Sequence, residues 1–259
     1  MNPYVHYSKG EKTQLLSPVA AEESVGLTVN GDLWLGFQCT PVDLDLLAVG
    51  FLYNEACLNT VEEIENVHVC NQNDNVDIWL NHPIEKPATW FRASGCHGGI
   101  TFSKPLPVIP QKTGNPISAS DLLSQIDQFL KMLIDKDHSH GIHTTALCQQ
   151  NEIIYTVQDI GRHNTLDKVA GYCLLNGLNL EQPVIVITGR ISTDMVYKAA
   201  RMRIPIIISL HSTTDLAIKA AEKLGLTLIC HARRGMINVF SHPERIDFQI
   251  ENALCSVIG

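Results

Sequence analysis

No apolar run in the 259-residue sequence is long enough to cross a bilayer, because charged or polar residues interrupt every candidate. Met1 to Glu11 lack the basic start and apolar core of a signal peptide, so a cytoplasmic protein without membrane contact is expected. The eight cysteines, at 39, 57, 70, 96, 148, 173, 230 and 255, include no C-x-x-C pair. That argues against a zinc ribbon, and their scatter through apolar segments argues against a disulfide framework. Positive charge is scarce: 19 Lys and Arg against 27 Asp and Glu give a net charge of −8. Broad binding to nucleic acid is not expected, while a local basic patch for one phosphate-bearing ligand remains open. No Walker-type phosphate loop occurs, and no G-x-G-x-x-G follows a strand, so a nucleotide must be held by another arrangement.

What is present is ordinary globular material, 45% hydrophobic and 18% charged, enough for one large domain or two modest ones. Ser24 to Leu35 alternates apolar and polar around Asn30-Gly31, which predicts a hairpin. Thr40-Pro41 predicts a helix cap with proline at the first helical position, ahead of the apolar face Leu44, Leu47, Ala48 and Phe51. Val67 to Leu80 predicts two short strands around a polar turn. Four prolines between Lys104 and Pro116 suggest an extended connector. The boundary is placed there: residues 1–115 as a smaller α+β unit, residues 116–259 as an α/β domain.

From His143 onward apolar runs, polar loops and amphipathic helices repeat in turn. Runs such as Val184-Ile185-Val186-Ile187 fit strands buried on both faces, which predicts a mixed, mainly parallel sheet with helices packed on it. Ligands of such sheets sit outside the carboxyl ends of the strands. Four predicted strand-exit loops would share that edge, carrying Arg162, His163, Asn164, Gly189, Arg190, Ser192, His211, Ser212, Arg233 and Arg234. The arginines offer planar forks for phosphate, and helix N-termini add backbone N–H groups. The competing reading is that each arginine caps a helix or pairs with Asp159, Asp167 or Asp194.

Several smaller groups bear on chemistry. Residues 95 to 99, Gly-Cys-His-Gly-Gly, put a thiol in a backbone built to bend. Cys96 is either a reactive group or an incidental turn residue, and adjacency alone does not make His97 its base. His138, His140, His143 and Cys148 carry metal-ligand chemistry, but their spacing fits no common pattern, and no metal is expected. His242-Pro243-Glu244 lacks the P-C-x-x-C partner of a zinc deaminase.

Taken together, these segments resemble the formate dehydrogenase accessory sulfurtransferase family (FdhD) from about Glu22 to Ile246. The resemblance rests on Val29-Asn30-Gly31, on Thr40-Pro41 with Gly50-Phe51-Leu52 and Glu55, and on His143-Thr144-Thr145-Ala146-Leu147. Its most specific part is Asp159-Ile160-Gly161-Arg162-His163-Asn164 with Asp167-Lys168. Gly189-Arg190-Ile191-Ser192, Lys198-Ala199-Ala200, Ile204-Pro205 and Ser241-His242-Pro243-Glu244-Arg245 follow in order.

The resemblance implies a sulfur carrier that takes sulfur from a cysteine desulfurase as a persulfide. It then passes that sulfur to the bis-guanine-dinucleotide molybdenum cofactor, a client and not a resident group, before the cofactor enters formate dehydrogenase. It further implies a homodimer and a three-layer C-terminal domain like the cytidine-deaminase fold without its zinc site. The persulfide cysteine of the family matches Cys96. Its cofactor-binding loop matches His231, Ala232, Arg233, Arg234, Gly235 and Met236, with Arg162, Gly189, Arg190 and Ser192 at the sheet edge. Where the family has C-x-x-C this sequence has Cys96-His97-Gly98-Gly99, so no second thiol stands in the loop, and His231 stands where the family tends to place an aromatic. The alternative is a cofactor-binding chaperone without sulfur transfer; a cysteine hydrolase would need an ordered histidine near Cys96.

Overall fold

The computed structural model describes residues 2–17, 19–87, 108, 115–135 and 141–249. Cys96 with its glycines, most of the proline-rich connector, His138 and His140 lie outside these residues.

The chain opens with a hairpin, β1 (Asn2–Ser8) and β2 (Glu11–Ser17), turning at Lys9-Gly10. A second hairpin joins β3 (Glu23–Val29) to β4 (Asp32–Cys39). Its turn residues Asn30 and Gly31 have φ of 50° and 88°, the left-handed values that make Asn-Gly the favoured two-residue turn. Helix α1 (Leu44–Asn54) follows, then β5 (Ile64–Val69) and β6 (Asn75–Leu80). The sheet order is β4-β3-β6-β5, with only β3 and β6 parallel. Strand alternation turns Val25, Leu27, Val29, Val76, Ile78 and Leu80 inward, where Leu44, Leu47, Ala48, Phe51 and Leu52 of α1 cover them.

Helix α1 begins later than Thr40-Pro41 predicts, with Asp43 as its N-cap. The Thr40 hydroxyl is engaged elsewhere, accepting a hydrogen bond from the Ile160 amide at 3.2 Å.

The rest of the chain runs β7 (Ile117–Ser118), α2 (Ala119–Asp135), β8 (His143–Gln149), β9 (Glu152–Asp159) and α3 (Arg162–Leu175). It continues through β10 (Val184–Ile187), α4 (Thr193–Arg201), β11 (Ile206–Ser209), α5 (Asp215–Leu224), β12 (Thr227–Arg233), β13 (Met236–Ser241) and β14 (Ile246–Asp247). Six strands form one sheet in the order β13-β12-β11-β10-β8-β9, and β7 pairs in parallel with β14.

The six-stranded sheet is mixed, but it is not mainly parallel. Only β10–β11 and β11–β12 pair in parallel, whereas β8–β9, β8–β10 and β12–β13 are antiparallel. Continuous apolar runs report burial on both faces, which helices on both sides produce whatever the strand direction. Ile185, Ile187, Ile207 and Leu228 face α3, α4 and α5, while Val184, Val186, Ile206, Ile208 and Ile229 face Leu122, Ile126 and Phe129 of α2.

Helices α1 and α3 cross at two glycines. A Cβ on Gly50 would overlap the Asp167 carbonyl oxygen, and one on Gly171 would overlap that of Leu46. The backbones are that close, so Leu174 and Leu175 at the end of α3 join the core of the first sheet.

Candidate functional site at the strand-exit edge

Strand β9 is antiparallel to β8, and β8 to β10, so β9 runs in the direction of β10, β11 and β12. Their carboxyl ends therefore share one edge, as the sequence predicts, and β8 starts there at His143. The loop after β10 is pinned on three sides. Thr188 N donates to Thr144 O at 3.0 Å, Ser209 Oγ donates to Gly189 O at 2.6 Å, and Ile191 N donates to Ser212 O at 3.1 Å. Gly189 is where this loop presses on its neighbours: a Cβ there would stand 3.1 Å from Arg162 Cβ and 3.2 Å from His143 Nδ1. Arg162, Gly189 and His143 are thus brought together. Ser192, the N-cap of α4, joins them through His163, whose Nε2 lies 3.2 Å from Ser192 Oγ. Arg190 is exposed in the same loop.

Electrostatically the edge is cationic. Burial, Arg162 and His211 push the His143 pKa down. Burial, then Lys198, Arg162 and His143, hold His163 to about 3, a neutral ring. Burial pushes the Asp194 carboxyl up against the pull of Lys198 and Arg162.

Two buried ion clusters hold this edge in place. Asp159, at the end of β9, faces Lys168 at 2.7 Å with both side chains fully buried. The same carboxylate accepts from Gly161 N and Asn164 Nδ2, both at 2.8 Å, and from Thr40 N at 3.2 Å. One turn on, Lys198 lies 2.6 Å from Asp167 and 3.1 Å from Glu55, and Asn54 Nδ2 donates to Asp167 at 2.8 Å. Burial raises the Glu55 pKa to about 7 against the pull of Lys198. Asp159 and Asp167 are therefore neutralised by lysines, contrary to the reading that they pair with the edge arginines. Asp167-Lys168 carries the signal in sequence: neighbours on a helix point apart, so each serves a different cluster.

The segment His231–Met236 is not a loop following the last core strand. His231, Ala232 and Arg233 complete β12, Arg234-Gly235 make the turn, and Met236 opens β13 on the sheet edge. Ala232 is fully buried in the core under α2, which removes it from any binding surface. A register shift between Cys230 and Arg233 accompanies a left-handed φ of 52° at His231, which is exposed. His231 N donates to His211 O at 2.8 Å, and Arg233 Nη1 donates to Leu210 O at 2.7 Å, so both adjoin the edge. Arg234 instead lies 3.7 Å from Asp127 of α2.

The six described cysteines are free. Burial pushes the thiols of Cys148 and Cys173 up to about 12, and those of Cys39 and Cys230 as far, the former helped by Asp159. Among the described residues no group of three or more His, Cys, Asp and Glu is placed to hold a metal ion. No helix among them is long and apolar enough to cross a membrane.

An α/β protein built on a four-stranded and a six-stranded sheet, with a cationic strand-exit edge held by buried lysine–carboxylate clusters, is the class these features define. Residues 20–247 match the model of the FdhD/NarQ family, and the chain belongs to that family. It is 33% identical over 250 residues to the sulfur carrier protein FdhD of Bacillus subtilis (strain 168), covering 93% of this chain and 94% of the relative. It is 32% identical to that of Wolinella succinogenes, covering 89% and 83% of the two chains. A solved structure assigned as a formate dehydrogenase accessory protein from Desulfotalea psychrophila superimposes with a TM-score of 0.79. That protein is 27% identical, with 95% of this chain and 98% of the other aligned.

Proposed function

We propose that the chain is a sulfur carrier that serves formate dehydrogenase. It loads sulfur on Cys96 from a cysteine desulfurase and delivers it to the bis-guanine-dinucleotide molybdenum cofactor. The observation that carries this reading is the collinear match of residues 20–247 to one family whose relatives are named sulfur carriers.

The loading step is thiol exchange. The Cys96 thiolate attacks the terminal sulfur of the desulfurase persulfide, that S–S bond breaks, the desulfurase thiolate leaves, and a new S–S bond stands on Cys96. The buried thiols raised to about 12 are protonated at neutral pH and unsuited to this attack. Delivery of the sulfur as sulfide needs two electrons, and with Gly99 in the place of a second thiol they come from an external thiol: its thiolate attacks the Cys96 sulfur, the persulfide S–S bond breaks, sulfide leaves to the client, and a mixed disulfide on Cys96 remains for a second thiol to reduce.

At the strand-exit edge Arg162, Arg190, Arg233 and Ser192 offer donors to the client's pyrophosphates, and the exposed His231 ring offers a face to guanine. Cytoplasmic location and a homodimer belong to the same reading. Incubation with a cysteine desulfurase and cysteine is expected to add sulfur to the wild type and none to Cys96→Ala, read by intact mass. Equal loading of the two would sink the proposal. A Cys96→Ala variant that restores formate dehydrogenase activity in a maturation-deficient strain would make the chain a cofactor chaperone without sulfur chemistry.

A further inference from the structure

His163 is a neutral, enclosed imidazole at the edge. Its Nε2 lies 3.2 Å from Ser192 Oγ. Its other nitrogen, Nδ1, is buried with no hydrogen-bond partner among the described residues, and the residue is 7% exposed. A neutral ring carries one proton. Burying an N–H without an acceptor is rarer than burying an unused acceptor. The proton therefore sits on Nε2 and is donated to Ser192 Oγ.

That assignment fixes the serine. With one Ser192 lone pair occupied by His163, the hydroxyl hydrogen cannot point back at the ring. It does not cap α4 either, because the Ser192 side chain makes no cap hydrogen bond, and α4 starts at Thr193 with Val196 N donating to the Ser192 carbonyl at 3.2 Å. The loop that carries Ser192 is held from Thr144, Ser209 and Ser212, so the hydroxyl is set before any ligand arrives. Arg190 is exposed two positions earlier in the same loop, and Arg162 precedes His163 in sequence and packs at Gly189.

We infer that Ser192 donates a hydrogen bond to an anionic oxygen of a phosphate ester bound at this edge, and that His163 is the positioning residue that commits the hydroxyl to donation. The inference rests on the proposed nucleotide-bearing client and adds a residue outside the set of predicted ligand contacts. It makes the His163 tautomer part of recognition.

Two measurements test it. Proton–nitrogen NMR of the imidazole ring is expected to show the Nε2–H tautomer in the free wild-type protein, unchanged between about pH 5 and 9. Calorimetric titration with guanosine diphosphate is expected to weaken about tenfold in Ser192→Ala and similarly in His163→Leu. The double variant loses no more than either single one, because both remove the same interaction. His163→Gln, whose amide N–H replaces Nε2–H, is expected to bind like wild type, and affinity for guanosine, which lacks phosphate, is expected to be unchanged throughout.

An Nδ1–H tautomer, or a His163→Gln as weak as His163→Leu, overturns the role of His163. Wild-type affinity retained in Ser192→Ala overturns this inference alone, whereas a wild type that does not bind the diphosphate overturns the nucleotide-client reading with it. If His163→Leu does not fold, Ser192→Ala and the wild-type tautomer decide.

Discussion

Asp159 and Lys168 face each other at 2.7 Å with neither side chain reaching solvent, and Thr40 brackets the pair from β4's end through its amide and its carbonyl. A buried pair of this kind resists removal of one partner far more than replacement of both. Lys168→Met is expected to cost about 3–5 kcal/mol, since it leaves a carboxylate buried without its counter-charge. In a chain of this size that lowers Tm by on the order of 10 °C in a thermal melt. The double variant Asp159→Asn with Lys168→Met is expected to melt above Lys168→Met alone, and a lower melting point would contradict this account.

The α1–α3 crossing gives a second prediction. Gly50→Ala forces a methyl into the Asp167 carbonyl oxygen, which no side-chain rotation relieves. The expected loss is about 3 kcal/mol or more in urea unfolding, at the upper end of what overpacking costs. Gly36→Ala is the control: its nearest atom would be 3.8 Å away and its backbone is unstrained, so little change is expected.

pH acts on Glu55 and His163 in opposite senses. Burial raises Glu55 from 4.5 to about 7, so its contribution is fully present below pH 4.5 and is lost as pH rises through 7. Burial and neighbouring cations lower His163 from 6.5 to about 3, so its contribution is present above 6.5 and is lost as pH falls toward 3. His163→Gln is therefore expected to flatten the acid limb of the stability curve, by about 2 kcal/mol at pH 5. Glu55→Gln is expected to flatten the alkaline limb. Chemical denaturation across this range measures both, and parallel curves for wild type and variants would refute the assignments.

Thiol reactivity offers a fourth check. Cys39, Cys148, Cys173 and Cys230 have pKa values near 12. In the native protein near neutral pH they are expected to react with iodoacetamide on the order of a thousandfold more slowly than an ordinary thiol. Peptide mapping after short exposure reads this directly; prompt native labelling of any of the four would show that its burial is not maintained.

Much of this architecture is legible in the residues, for physical reasons that differ by element. The Asn30-Gly31 hairpin announces itself because a left-handed two-residue turn suits few other residues. The β1–β2 hairpin does not, because Tyr4, Val5, Tyr7, Leu15 and Leu16 are exposed on its two faces and no inside–outside alternation develops. Thr40-Pro41 looks like a helix start because local rules see a cap. The hydroxyl is used 120 positions away at Ile160.

The shared strand-exit edge is legible because each strand–loop–helix unit points the same way. Sheet direction is not, because the apolar run of β10 is buried on both faces while pairing parallel with β11 and antiparallel with β8. Lys198 meets Asp167 across 31 positions, a pairing set by packing that no local spacing displays. The tie between His163 and Ser192, 29 positions apart, is hidden for the same reason.

The two ion clusters also bear on whether the chain can be divided. A fragment beginning at Asn115 would keep Lys198 and Asp167 but lose Glu55 and Asn54, and would keep Asp159 and Lys168 but lose Thr40. It would also lose Gln38, whose carbonyl accepts from Asn164. The first half, alone, would expose the surface of α1 that α3 covers. The two halves are thus complementary fragments: expressed separately they are each incomplete, and expressed together they have the groups needed to rebuild one another.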